Sequence, residues 1–230
     1  MTDTIATALI PLALTLKVAS IATLLTFGIG VGLAAVFARR KFFGRDWLDA
    51  VVTLPLVMPP TVLGYYLIVV MGRNGWIGHW IYDAFGVTLM FTWQGAVAAS
   101  SVVSLPLVFK SARSALEGVD HNLEKAARTL GSSEAEVFFR VSLPLAWRGI
   151  LAGTMLAFAR AMGEFGATLM VAGNIPGKTQ TLSLAVYSAT QAGNDGLAAA
   201  LVAITSLICV IVLVSSGKIL KTDYLQEVDR

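Results

Sequence analysis

A chain of 230 residues that is 56% hydrophobic and only 13% charged is far more apolar than a water-soluble domain of its size. With a mean hydropathy of +0.74 it reads as an integral membrane protein, and its net charge of +3 is too small to argue for a nucleic-acid partner. The lone Cys209 rules out an internal disulfide or a cysteine metal cluster, His79 and His121 lie too far apart to make a ligand pair, and no cofactor is expected.

In chain order, residues 1–14 carry neither a basic stretch nor a small-residue cleavage site, so they do not read as a cleaved signal peptide. A first span is expected over Thr15 to Ala38, with Lys17 snorkelling near its start and Gly28 and Gly32 spaced to let another helix approach. The glycines of that run do not make a phosphate loop, because no lysine follows them. Arg39, Arg40, Lys41 and Arg45 precede a second span, Leu48 to Met71, which carries Pro55, Pro59 and Pro60. Prolines at that depth free backbone carbonyls, either as a plain packing kink, the commoner case, or where a water-filled path needs them. Arg73 to Phe91 reads as a loop whose Trp76, Trp80 and Tyr82 suit a membrane interface, followed by a short third span, Trp93 to Phe109, with Pro106.

The segment Asp120 to Pro144 is amphipathic and too short to span a bilayer. Asp120 is placed to cap one helix and Gly131 to end it in the left-handed conformation. Along that helix Leu123, Ala126, Ala127 and Leu130 fall on one narrow apolar stripe, with Glu124, Lys125 and Arg128 on the other faces. A second helix opens with the capping box Ser133-x-x-Glu136 and is expected to stop before Pro144. Periodicity alone favours a surface helix lying on its own protein or on lipid headgroups over one that docks a partner. The fourth span is expected over Gly149 to Ala172, then a loop from Gly173 to Gly196, then a last span over Leu197 to Ser216 and a polar tail.

Five spans put the two ends on opposite sides. Arg39, Arg40, Lys41, Arg45, Lys110, Arg113, Lys125, Arg128, Arg140, Arg148, Lys218, Lys221 and Arg230 fall on one side, against Arg73 and Lys178 on the other, with Lys17 and Arg160 inside spans. Positive charge accumulates on the cytoplasmic side, so the Asp120 to Pro144 segment and the C-terminus are expected there and the N-terminus outside. The run Gly173 to Thr179 imitates a P-loop but is one residue short between its glycines and follows a membrane helix, so a turn is expected and no ATP site. Arg160 and Glu164, four apart inside the fourth span, are spaced to pair. Locking helices at a subunit interface is the favoured role for them, with direct substrate contact as the alternative. Pro59, Pro60, Thr61, Ser104 and Thr168 are the candidates to line a translocation path, the hydroxyls as neutral donors that bind weakly enough to release.

Two resemblances sharpen this reading. Lys125-Ala126-Ala127, Gly131 and Val141-x-Leu143-Pro144 resemble the EAA loop of binding-protein-dependent ABC importer permeases, with Glu124 one place early, Lys125 where that family writes Glu, and Val141 for Ile. The stretches 54–67, 72–78, 123–131, 156–170 and 173–187 look closely like the permease subunit of molybdate ABC importers, with sulfate and tungstate permeases as near relatives. Sulfate permeases usually have an extra N-terminal span, and its absence favours molybdate. The resemblance implies an all-α, polytopic type I importer permease of about five transmembrane helices, one permease domain over 1–230 with 120–144 as its cytoplasmic coupling segment. It implies a homodimer in the bacterial inner membrane, two cytoplasmic ATP-binding subunits that hydrolyse the ATP, and a periplasmic oxyanion-binding protein. The coupling contact would be made by Leu123, Glu124, Ala126, Ala127, Arg128, Leu130 and Gly131. A membrane-embedded enzyme finds no catalytic constellation in the spans. An ion-coupled secondary transporter, using Glu164, is the competitor from a different class.

Overall fold

The fold was analysed in a computed structural model that describes residues 2–40 and 42–221; Lys41 and the polar tail with Arg230 fall outside the described residues. Among the described residues all regular structure is helical. The first helix, α1 (Thr2–Arg39), is longer than the expected span and begins well before Thr15. After it come α2 (Arg45–Val57), α3 (Pro60–Met71), α4 (Trp76–Phe85) and α5 (Trp93–Glu117). Then follow α6 (His121–Thr129), α7 (Glu134–Val137), a π turn (Phe138–Ser142), α8 (Leu143–Met162), α9 (Gly166–Ala172), α10 (Leu182–Gln191) and α11 (Asp195–Lys221). Four helical stretches are long and apolar enough to cross a membrane, and a fifth span is formed if the pair α2–α3 counts as one.

The hub is α5. Of its most apolar stretch 61% is buried, against 11% for α11, and it packs along α1 and α8 with α2 and α9 at its flanks. Lipid offers helices no hydrophobic reward for leaving it, so association rests on close van der Waals fit, which small residues permit. A Cβ at Gly153 would lie 2.3 Å from Ser111 Cβ, and one at Gly149 would lie 2.6 Å from Ala115 Cβ, so α8 lies almost backbone to backbone on α5. On α1 the close approach to α5 is made by Gly30, where a Cβ would sit 2.9 Å from Val108. The expected pair, Gly28 and Gly32, has no neighbour within 4 Å, because residues two apart on a helix face nearly opposite ways. Phe37 and Phe109 close the basic end of this core, edge to face at 5.1 Å.

The third span is longer than expected, since α5 runs on to Glu117, and the structure departs from the sequence reading in its breaks and loops as well. The second span is not one kinked helix: α2 and α3 are bent by 118° at Met58–Pro59, where Pro59 and Pro60 lack the N–H groups needed to carry the ladder through. The loop after Arg73 contains α4, whose first turn nests so closely on the end of α3 that a Cβ at Gly78 would lie 2.0 Å from Gly72 O. The expected fourth span breaks at Gly163–Phe165, between α8 and α9. The loop after Gly173 holds α10, whose buried Leu182, Ala185 and Ala189 pack beside Ala8 and Leu201; Thr15 Oγ1 accepts a hydrogen bond from Leu182 N at 2.8 Å. The run Gly173 to Thr179 is a turn, with Ile175 O accepting from the N–H groups of Lys178, Thr179 and Gln180.

Gly153→Val should disrupt the α5–α8 seam at a cost of about 1–3 kcal/mol, whereas Gly28→Ala should leave the protomer's stability unchanged. Thermal melting of the detergent-purified chain measures both; equal melting temperatures for the two variants would remove the seam from the account.

Candidate functional site

The helix α6 is built as its sequence suggests. Asp120 accepts a hydrogen bond from Asn122 N at 2.8 Å, and Gly131 adopts φ +89°. Ser132 N then donates to Ala127 O and Gly131 N to Arg128 O, a complete Schellman closure that only a residue tolerant of positive φ allows cheaply. The capping box is also present, with Glu136 N donating to Ser133 Oγ and Ser133 N to Glu136 Oε2. The second helix does not stop before Pro144, however. It runs through the π turn, where Leu143 N donates to Phe138 O five residues back, directly into α8. A proline ring clashes with the carbonyl four residues before it, and the widened turn relieves that clash without breaking the helix. From Glu134 onward this segment is therefore continuous with a membrane-length helix that runs to Met162.

Which faces of α6 are occupied is the more telling result. Glu124 is buried while Leu123 is 49% and Leu130 86% exposed; Ala126 is exposed as well, and Ala127 and Arg128 are half-buried. Glu124 Oε1 accepts a hydrogen bond from Ser142 Oγ at 2.5 Å and faces Arg39 Nη2 at 3.5 Å. Arg39 also donates to Ser142 Oγ at 2.8 Å and to Glu134 O at 3.3 Å, with its guanidinium over the Phe138 ring. One arginine at the end of α1 thus ties together α6, α7 and the π turn. Burial alone would push the Glu124 carboxyl up, but the Ser142 hydrogen bond, the Arg39 charge, His121 and Arg128 outweigh it and hold the carboxyl below its ordinary value. The sequence reading counts this carboxylate among the residues of a partner contact; the structure instead turns it inward, where it anchors the helix to its own chain. Charged pairs continue beside it: Arg45 with Glu117 at 2.7 Å, and Asp49 with Lys110 at 2.5 Å and Arg113 at 2.6 Å. Arg39, Arg45, Glu117, Glu124, Arg128 and Glu134 line a cavity of about 510 Å³ at the basic end of the molecule.

The path candidates separate into two groups. Pro59, Pro60 and Thr61 are exposed at the α2–α3 break, whereas Ser104 and Thr168 are buried inside the protomer. Ser104 Oγ donates to Ser100 O at 2.7 Å, and Thr168 Oγ1 is buried without a hydrogen-bond partner among the described residues. Arg160 and Glu164 do pair, at 2.7 Å, but not as two residues of one helix, since α8 ends at Met162 and Glu164 lies in the break before α9.

A profile of the family described as the binding-protein-dependent transport system inner membrane component matches residues 6–221. The chain belongs to that family. This permease is 49% identical over 204 residues to the molybdenum transport system permease protein ModB of Escherichia coli (strain K12), across 88% of this chain and 89% of that one. It is 37% identical over 203 residues to the sulfate transport system permease protein CysW of Synechocystis sp., across 86% of this chain and 73% of the other. Among solved structures, the MetNI methionine ABC transporter in an inward-facing conformation matches with a TM-score of 0.69 at 16% identity, covering 90% of this chain and 92% of that one. The fold is that of an ABC importer permease, and the chain is a multi-pass membrane subunit of that class.

Glu124→Gln should loosen α6 from α1 by about 1–3 kcal/mol, the worth of a hydrogen bond to a charged group, seen as faster amide exchange over Leu123 to Leu130 in the purified chain. Because the folded carboxyl titrates below its ordinary value, its contribution is complete above the unfolded-state pKa and is lost as pH falls through the folded one. The difference in melting temperature between wild type and Glu124→Gln should therefore close on acidification, and a pH-independent gap would contradict the charge assignment.

Proposed function

We propose that this chain is the membrane subunit of an ATP-driven molybdate importer, working as a homodimer with two cytoplasmic ATP-binding subunits and fed by a periplasmic oxyanion-binding protein. The observation that carries the substrate is the 49% identity across nearly the whole chain to a molybdenum permease, set against 37% for a sulfate permease. Sulfate import is the second reading, and the sulfate relatives are its support; tungstate shares the same tetrahedral dianion chemistry. In this reading residues 1–230 form one permease domain in the inner membrane, with the N-terminus outside and residues 120–144 and the C-terminus in the cytoplasm. The clustering of Arg39, Arg45, Lys110, Arg113 and Arg128 at one end of the helices favours that orientation.

The coupling role falls to α6. Its Glu124 face is taken up by its own chain, which leaves Leu123, Ala126 and Leu130 facing away, an apolar surface that water disfavours until a partner covers it. Ala127 and Gly131 keep the helix narrow enough to enter a cleft. When the ATPase pair closes, α6 moves with it. Arg39 transmits the displacement to α1, and the unbroken helix from Glu134 transmits it to α8, so the permease switches between inward- and outward-open states. Arg128 and Gly131 shape the end of the docking helix, and ATP hydrolysis itself is assigned to the partner subunits.

Ala127→Glu should abolish uptake and pull-down of the ATPase subunit while membrane levels stay normal, since overpacking a tight contact costs about 1–3 kcal/mol before the buried charge is counted. Full uptake by that variant would show that the stripe has no coupling role. Radiolabelled molybdate uptake in cells carrying the chain with its ATPase and binding protein should be competed by tungstate and much less by sulfate; the reverse order would transfer the assignment to sulfate. A C-terminal reporter fusion should read cytoplasm and an N-terminal one periplasm, and both on one side would sink the orientation.

A further inference from the structure

The ion pair between Arg160 and Glu164 is lopsided. The side chain of Glu164 is 1% exposed and that of Arg160 is 35% exposed. Both carboxylate oxygens are engaged, Oε1 by Ala167 N at 2.9 Å and Oε2 by Arg160 Nη1 at 2.7 Å, while Ser183 Oγ donates to the Glu164 backbone oxygen at 2.7 Å. Arg160 has five N–H donors to offer, and among the described residues Glu164 is the group that bonds it. A pair serving only to lock helices is expected to bury and satisfy both partners, because an open guanidinium at membrane depth is costly. Within the protomer only the carboxylate is treated that way, so the guanidinium is left to a group from outside this chain's own helices.

Arg160 lines a cavity of about 140 Å³ whose other walls are Pro55, Leu56, Met58, Pro60, Leu63 and Val103. That is space enough for several waters or one small ion. The same cavity is bordered by the 118° break between α2 and α3. Irregular backbone at membrane depth persists where it is buried in protein or lines a wet cavity. Arg160 and the break are independent features, and they meet in one place.

We propose that Arg160 is a direct contact for the tetrahedral oxyanion on its way through the permease, and that Glu164 is a positioning residue that holds the guanidinium facing the break. The inference rests on the importer reading given above. Glu164 also sets the strength of the contact: the pair is formally neutral, so a dianion is bound by directed donors and not by a large net charge, which lets it leave again. Pro59, Pro60 and Thr61 then form the opposite wall of the same passage.

The test is radiolabelled molybdate uptake by cells expressing the full importer with Arg160→Gln, and with the neutral pair Arg160→Gln/Glu164→Gln, which leaves no unpaired buried charge. Both variants should lose uptake roughly tenfold or more, as expected for removal of a charged donor from its ligand, and the double variant should reach the membrane and keep its ATPase subunit. Recovery of uptake by the double variant would mean that the pair is only a lock and would overturn the proposal. The wild-type importer gives a second measurement that needs no variant: phenylglyoxal modification of Arg160 in membrane vesicles, mapped by mass spectrometry, should be slowed by molybdate and not by chloride. Equal modification with and without saturating molybdate would overturn the assignment. Wild-type cells that import no oxyanion at all would instead defeat the importer reading, so the two failures are told apart.

Discussion

Everything in this fold depends on how closely α1 and α8 can approach α5. Inside a bilayer the hydrophobic effect does not distinguish helix from lipid, so the contact must be won by fit. Gly30, Gly149 and Gly153 bring backbones into near contact, and Ser111 and Ala115 receive them. The result is a rigid three-helix centre around which the remaining elements can be broken, tilted or exposed without loss of the fold.

The breaks fall where this centre ends. α2–α3, α8–α9 and the segment holding α10 all interrupt what hydropathy draws as simple spans and loops, and they do so on the side where Arg160, Glu164 and the exposed Pro59–Thr61 corner meet. Backbone groups freed by a break are tolerated only if other partners take them up. Glu164 accepting the Ala167 N–H at the start of α9 is one such partner, so a single carboxylate both repairs a helix end and fixes an arginine.

At the basic end the logic is different, because water is close and charges are cheap. Arg39 acts as a rivet between α1, α6, α7 and the π turn, and Glu124 is held ionised within it. α6 is thereby held to α1 through an ion pair, and α7 beyond the Gly131 turn runs into α8 as continuous helix. The π turn at Phe138–Ser142 lets Pro144 sit in that continuous helix, so the path of the helix depends on a local accommodation to one proline.

Much of this was legible in the residues themselves. Hydropathy located the membrane-crossing stretches, the caps at Asp120, Ser133 and Gly131 marked the short helices between them, and the spacing of Arg160 and Glu164 announced a pair, because each of these depends on neighbours within one or two helical turns. The apolar period of Leu182, Ala185 and Ala189 was also present and marks α10, although the polar residues around it hide it. Other features could not be read there. That Gly30 and not Gly28 or Gly32 meets α5, that Glu124 is the buried anchor, that Ser104 and Thr168 are enclosed while Thr61 is open, and that Arg160 is exposed when its partner is not all depend on residues distant along the chain. Local sequence fixes the helices and their caps through short-range hydrogen bonds and hydropathy, whereas which face of each helix is used is decided only when α1, α5 and α8 pack, since burial is a property of the assembled contact and not of the residue.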